Sequence, residues 1–347
     1  MRVLVTGHNG YVGTVLVPML LKAGHDVVGL DTNLYQAATF GDENATASIP
    51  AIQRDVRDVT HADLDGFDAI LHLAGLSNDP LGDLNPELTY EINHQASVRM
   101  AQMAKELGVE RFVFSSSCSN YGAGVDDWLN EESAFNPVTP YGKSKVMVEQ
   151  DVAKLADDKF SPTFLRSSTA YGVSPRLRFD LVINNLTAWA YTTGLVYLKS
   201  DGTPWRPVVH IEDMALAFVA TLHAPRELIH NEAFNVGRPE ENYRIRELAE
   251  IVAETVPGSR VEFAEGASPD KRNYRVDSSK IARVLPEYKP QWTARKGAQE
   301  LYEAYQRVGL QLEEFEGPRY RRIDHIKMLM ANGRLDNRLR WREAVPA

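Results

Sequence analysis

The chain has 347 residues, 44% hydrophobic and 24% charged, with a formal net charge of −9 at pH 7. That length exceeds one average domain and supplies ample core, and no apolar run reaches the roughly eighteen residues needed to span a membrane. The acidic balance argues against nucleic acid as a general partner, so any anionic ligand must be held by local groups. One cysteine, Cys118, excludes an intrachain disulfide and a cysteine-built zinc site, and the nine histidines fall in no metal-ligand spacing. A strand beginning at residue 2 leaves no room for a signal peptide, which predicts a cytoplasmic protein.

The first element reads as a strand over Arg2–Thr6, followed by a turn with Gly7, Gly10 and Gly13 and a helix start. Gly7 permits the sharp turn, Gly10 lets main chain approach a pyrophosphate, and Gly13 lets the helix pack on the sheet. A second strand, Asp26–Leu30, ends in Asp31, eighteen residues past the last glycine, where a carboxylate can accept from an adenosine ribose and repel a 2′-phosphate. Further strands are expected at Ala69–Leu73, Arg111–Ser115 and Thr163–Arg166, with a fainter one before Asp55. Helical stretches alternate with them, one from Pro86 to Leu107 with Asn85 as its cap. This pattern predicts an α/β fold: a doubly wound parallel sheet of Rossmann type over residues 1–170. Pro18, inside the first helix, predicts a kink.

After Tyr171 the regularity changes. Pro207–His210 and Ala233–Val236 are expected to return to the sheet. Residues 171–206 and 238–310, with helices at Arg244–Val256 and Ala294–Val308, are expected to form a smaller, interleaved substrate domain. Beyond 310, an acidic patch precedes a stretch with eight Lys/Arg against three Asp/Glu between Pro318 and Glu343. Residues 311–347 are expected to be a solvated or subunit-contacting helical extension, lining of an anionic pocket being the lesser reading.

Tyr141 and Lys145 stand four apart, on one face of a helix a single turn apart. Free tyrosine ionises near about pH 10, so service as a base near pH 7 requires roughly 4 kcal/mol, which a close cation can supply. Upstream, a strand ends in the serine run Ser115–Ser117, where strand ends of such sheets face the ligand crevice. Ser117 can bond a substrate oxygen and relay its proton to Tyr141. Cys118 reads as a buried filler, and neither His8 nor His210 is given a catalytic task.

Together these residues resemble the extended short-chain dehydrogenase/reductase superfamily, specifically its nucleotide-sugar epimerases and dehydratases, over about residues 1 to 300. The carriers are the glycine turn, Asp31, Asp55-Val56, His72-Leu73-Ala74-Gly75, Asn93, the serine run, Tyr141 and Lys145, Asn184-Asn185, Trp205–His210 with Asp213, and Phe234–Gly237. The resemblance implies NAD as cofactor. The turn residues Gly7, Asn9, Gly10, Tyr11 and Val12 and the acidic Asp31 would hold it. Asp55 and Val56 would contact adenine, Leu73, Ala74 and Gly75 would flank the pyrophosphate and nicotinamide ribose, and Lys145 would also hold that ribose. It further implies a nucleotide-diphosphate sugar as substrate, with Arg206, Arg272, Asn184 and Asn185 on its phosphates, and a homodimer through the helix Pro86–Leu107 and the helix starting near Tyr141.

Residues Tyr141 to Gln150 are most similar to UDP-galactose 4-epimerases. The 4,6-dehydratases carry Asp-Glu directly after the serine or threonine, whereas this chain has Cys118-Ser119 and so lacks those proton-shuttling carboxylates. The leading expectation is therefore an epimerase working by transient oxidation to a keto sugar. A nucleotide-sugar ketoreductase is the alternative among enzymes, and an NAD-responsive binding module the alternative outside them.

Overall fold

The structure, a computed structural model, describes residues 1–42, 46–77, 85–268 and 273–342. Its centre is a parallel sheet of seven strands. These are β1 (Arg2–Thr6), β2 (Asp26–Asp31), β3 (Ala51–Gln53), β4 (Ala69–His72), β5 (Arg111–Ser117), β7 (Ser161–Ser167) and β11 (Glu232–Val236), in the order β11-β7-β5-β4-β1-β2-β3. Strand β6 (Ala123–Leu129) lies outside this sheet and pairs with β14 (Asn273–Val276), as β9 (Leu195–Ser200) does with β13 (Arg260–Ser268). The central strands β1, β2 and β4 are buried on both faces, as a sheet covered by helices on each side requires. Val3 and Val5 face the helices Gly13–Lys22 and Ile211–His223, while Leu4 faces the opposite layer with Met100 and Val148. The chain leaves β1 toward β2 and β3, then returns to place β4 on the other side of β1. That reversal opens a crevice at the carboxyl ends of β1 and β4, where doubly wound sheets bind ligands.

Two expectations are corrected. Of the two return strands, only β11 joins the sheet. It occupies the free edge of β7, in register from Glu232↔Thr163 to Val236↔Ser167, so β10 (Trp205–His210) pairs instead with β8 (Thr169–Tyr171) and β12 (Asn242–Arg244). Pro18 stands inside the helix Gly13–Lys22 on its exposed side, where water can take the carbonyl it leaves unbonded. The described part of the carboxyl-terminal extension, 311–342, packs against the body on one side rather than standing free in solvent. Its helices Leu312–Phe315 and Arg322–Ala331 pack on the body, and Phe315, Ile326 and Leu339 are buried in the two cores.

The helix expected at Pro86–Leu107 is interrupted by a π-turn, Tyr90–Gln95, between Pro86–Thr89 and Ala96–Glu106. The turn carries the buried Asn93, whose amide accepts from the Leu76 N–H at 2.7 Å and donates to the Leu76 carbonyl at 2.9 Å. A two-way clamp thus fixes the loop leaving β4. Gly75 is required beside it, since a Cβ there would lie 2.9 Å from Asn93 Oδ1.

Beneath the end of β5 lies a buried charge network. Glu149, on the helix Pro140–Ala153, forms an ion pair with Arg166 of β7 at 2.7 Å, both side chains at most 6% exposed. The same carboxylate accepts from Ser116 Oγ and from Asn120 Nδ2 at 2.8 Å. Breaking one side of a buried pair leaves an uncompensated charge, at about 3–5 kcal/mol. Glu149→Gln should therefore lower unfolding free energy by about that amount in urea titration. A loss below about 1 kcal/mol would show that the pair does not hold these elements together.

Candidate active site

The crevice opens into one cavity of about 940 Å³, a size suited to an extended ligand. The glycine turn forms its floor. Gly7 has φ +73°, and a Cβ there would lie 2.9 Å from Ala74 N; a Cβ on Gly13 would lie 2.4 Å from Gly7 O. The turn, the loop after β4 and the first helix are therefore in backbone contact, which leaves the N–H groups of the helix start facing the cavity. Tyr11 can offer only main chain, because its hydroxyl donates to the Gly172 carbonyl at 2.8 Å in the interior. Asp31 Oδ2 accepts from Asn9 N at 3.1 Å and Oδ1 from Asn33 N at 2.8 Å, which aims the carboxylate along the cavity rim. Asp55 is oriented by Arg57, at 2.9 Å from Nε and 2.6 Å from the terminal nitrogen. Burial alone would push that carboxyl up, but the Arg57 bonds outweigh it and hold it below the usual range. Val56, Leu73, Ala74 and Gly75 line the same cavity.

The opposite wall carries the reactive groups. Ser117 ends β5 and its Oγ accepts from Ser119 N at 3.1 Å. Thr139 caps the helix Pro140–Ala153 by accepting from Gly142 N at 3.2 Å, with Pro140 in its first turn. Tyr141 is thus the second residue of that helix, at the positive end of its dipole, which favours a phenolate. Gly142 lets the helix start abut the serine loop, as a Cβ there would lie 3.0 Å from Ser119 O. Lys145 follows one turn on, with Nζ donating to Ser115 O at 2.7 Å and lying 5.7 Å from the Tyr141 ring centre. Burial pushes its ammonium down to about 7, with the Glu149 carboxylate pulling the other way.

Ser117, Tyr141 and Lys145 therefore line the same cavity as the glycine turn and Asp31, and so do Asn185 and Arg206. Two expected substrate residues differ. Asn184 is fully buried and its amide is used up internally, accepting from Gly172 N at 3.0 Å and donating to Arg178 O at 2.9 Å. It shapes the loop rather than meeting a ligand. Arg272 lies outside the described residues. Arg206 is buried on β10 and donates to Trp205 O at 2.8 Å.

Sequence reading missed Arg178 and Asp180, which line the cavity just before the helix Val182–Thr193. Arg178 is clamped by Asp180 at 2.7 Å and reaches Ser77 Oγ at 3.2 Å. The alternation of Arg176, Arg178 and Asp180 was the available signal. Cys118 is buried and donates to Arg166 O at 3.2 Å, and burial pushes its thiol up to about 12. His210 is also internal, stacked 3.7 Å from Trp292 and 2.9 Å from Glu300.

The sequence profile of the NAD dependent epimerase/dehydratase family matches residues 3–237. The chain belongs to this family. UDP-glucose 4-epimerase of Lactobacillus helveticus is 30% identical over 315 residues, spanning 82% of this chain and 91% of that protein. The Bacillus subtilis enzyme of the same name is 26% identical over 328 residues, 87% and 94% of the two chains. Among solved structures, MoeE5 in complex with UDP-glucuronic acid and NAD superposes with TM-score 0.76 at 26% identity, covering 88% of this chain and 99% of that one. UDP-glucose-4-epimerase from Stenotrophomonas maltophila, with bound NAD and formylated UDP-arabinopyranose, gives 0.77 at 25% identity, covering 89% and 99%.

In the folded cofactor-free chain Lys145 is neutral above about pH 7, whereas unfolded lysine keeps its proton to about pH 10.4. The unfolded state therefore binds more protons between those limits, and the penalty for burying the ammonium is greatest below pH 7 and vanishes as pH rises. Lys145→Met should raise the thermal midpoint of the cofactor-free protein at pH 6, with a gain that shrinks toward pH 10. An equal gain at both pH values would show that the buried ammonium carries no such penalty.

Proposed function

We propose that the protein is an NAD-dependent nucleotide-sugar epimerase that oxidises a carbinol carbon of the sugar transiently and returns the hydride to its other face. The observation that carries this reading is one cavity shared by a backbone cradle with an acidic rim, Asp31, and by the Ser117, Tyr141 and Lys145 set. The cradle fits a dinucleotide, because the close approaches at Gly7 and Gly13 leave main-chain donors where a pyrophosphate would lie. NAD, when bound there, supplies a hydride acceptor that can give the hydride back.

The chain's own groups handle the proton. Tyr141, at a helix N-terminus beside Lys145, takes the proton of the sugar hydroxyl, through Ser117, as the carbon loses hydride, and gives it back when the keto sugar is reduced. Lys145 stabilises the phenolate. The two groups after Ser117 cannot run a dehydration: Cys118 is a buried thiol held near 12 by burial, and Ser119 is a hydroxyl. The UDP sugars named in the neighbouring complexes support a nucleotide-diphosphate sugar as substrate. Asn185, Arg206 and Arg272 would hold its diphosphate, in a substrate-facing region made of 171–206 and 238–310. The helices Ala96–Glu106 and Pro140–Ala153, the latter exposing Met147, would form a homodimer face. Among the described residues no helix is long and apolar enough to cross a membrane, and a reducing cytoplasmic setting suits the single buried Cys118.

Tyr141→Phe should lower turnover at least about a hundredfold while leaving NAD affinity nearly unchanged in a fluorescence titration. Near-normal turnover would remove the phenol from the mechanism. With substrate deuterated at the inverted carbon, product should keep the label, and no net NADH should appear or disappear. Stoichiometric consumption of NADH with a keto sugar would make the protein a ketoreductase; loss of water with solvent hydrogen entering at C5 would make it a dehydratase.

A further inference from the structure

The carboxyl-terminal extension closes the end of the cavity that holds Asp31 and Val56. Arg322, Ile323 and Leu339 line the cavity there. The Arg322 guanidinium lies 3.9 Å over the Tyr35 ring, and its terminal nitrogen donates to Arg176 O at 3.4 Å. Leu339 is buried in the same apolar cluster as Leu30 and Val56.

The extension also takes up the backbone of the loop that follows Asp31. Trp341 Nε1 donates to Thr32 O at 2.6 Å, His325 Nε2 lies 3.1 Å from Leu34 O, and Arg319 donates to Thr39 O at 3.0 Å. Arg340 pairs with Asp58, just past Val56, and Arg338 with Glu91 at 2.6 Å. Three remote carbonyls of one loop are thus capped by a segment that begins after the last body helix, Ala294–Val308. A loop ordered in advance removes its ordering cost from ligand binding.

We propose that residues 319–341 are a cofactor-binding clasp: Arg322, Ile323 and Leu339 complete the adenosine end of the NAD site, and the contacts to Thr32, Leu34 and Thr39 lock its rim, so that NAD stays bound from one turnover to the next. The inference rests on the epimerase reading, in which the cofactor returns to its starting state each cycle and has no need to leave. Release of NAD then requires the clasp to loosen, which places the barrier to exchange in this segment rather than in the glycine turn.

The test compares the full-length protein with Arg322→Met and Trp341→Ala, measuring NAD retained per chain after gel filtration and its dissociation rate by displacement with an NAD analogue. Both variants should release NAD at least about tenfold faster, with unchanged far-ultraviolet circular dichroism. Equal retention by the unaltered chain and two folded variants overturns the clasp alone. Loss of NAD by the unaltered chain on gel filtration overturns the retained-cofactor reading, and the clasp with it. Should the variants fold poorly, amide exchange on the unaltered chain decides: exchange across 319–341, as well as across the Thr32–Thr39 loop, should be slower in the NAD-loaded protein than after NAD has been stripped, and exchange in 319–341 that is the same in both overturns the proposal.

Discussion

The Glu149 carboxylate is the point on which the geometry of the reactive wall depends. It belongs to the helix that carries Tyr141 and Lys145, yet it bonds Ser116 and Asn120 on either side of Ser117 and is neutralised by Arg166 from the neighbouring strand. Three elements far apart in sequence are thereby fixed by one buried group. The network continues from Arg166 to Tyr121 Oη at 3.1 Å and from Tyr121 to Asn235 Oδ1 at 2.8 Å, tying in β11. Under the proposed mechanism a phenol and a serine share a proton and so need fixed relative positions, and burying the ion pair with its hydrogen bonds satisfied supplies that rigidity.

Electrostatics then divides the cavity. The whole chain is acidic, at −9, yet Arg178, Arg206 and Arg322 all face the cavity. A local cationic lining inside an acidic protein discriminates by position rather than by net charge, because each guanidinium is placed by its own partners before a ligand arrives. Asp31 would add selectivity to this lining under the proposed function: its carboxylate at the end of β2 would accept from ribose hydroxyls and repel an added phosphate.

What was legible in the sequence had a local cause. The glycine turn was readable because a Cβ at Gly7, with φ +73°, or at Gly13 would collide with backbone, and the central strands because both faces of the sheet are covered. Asn184 misled because adjacent helical residues point about 100° apart: one turns inward to hold the Gly172 loop and only Asn185 reaches the cavity. The π-turn at Tyr90–Gln95 was invisible because the clamp it carries, from Asn93 to Leu76, is a tertiary contact. β10 was misplaced for a similar reason, since whether a strand joins a sheet depends on which edge is already taken.

The extension was the least legible part, and the reason lies in what its side chains bind. Trp341 and Arg319 donate to main-chain carbonyls, and the His325 ring also meets carbonyls; every residue offers such an acceptor, so Thr32, Leu34 and Thr39 carry no complementary mark in the sequence. A basic, weakly periodic stretch following an acidic patch therefore looks like surface, although its arginines are spent on carbonyls and carboxylates of the same chain. The same feature explains how such a segment can serve any variant of the loop it caps. Contacts to backbone persist when loop side chains change, so the clasp constrains the shape of the rim after Asp31 while leaving the residues of that rim free to vary.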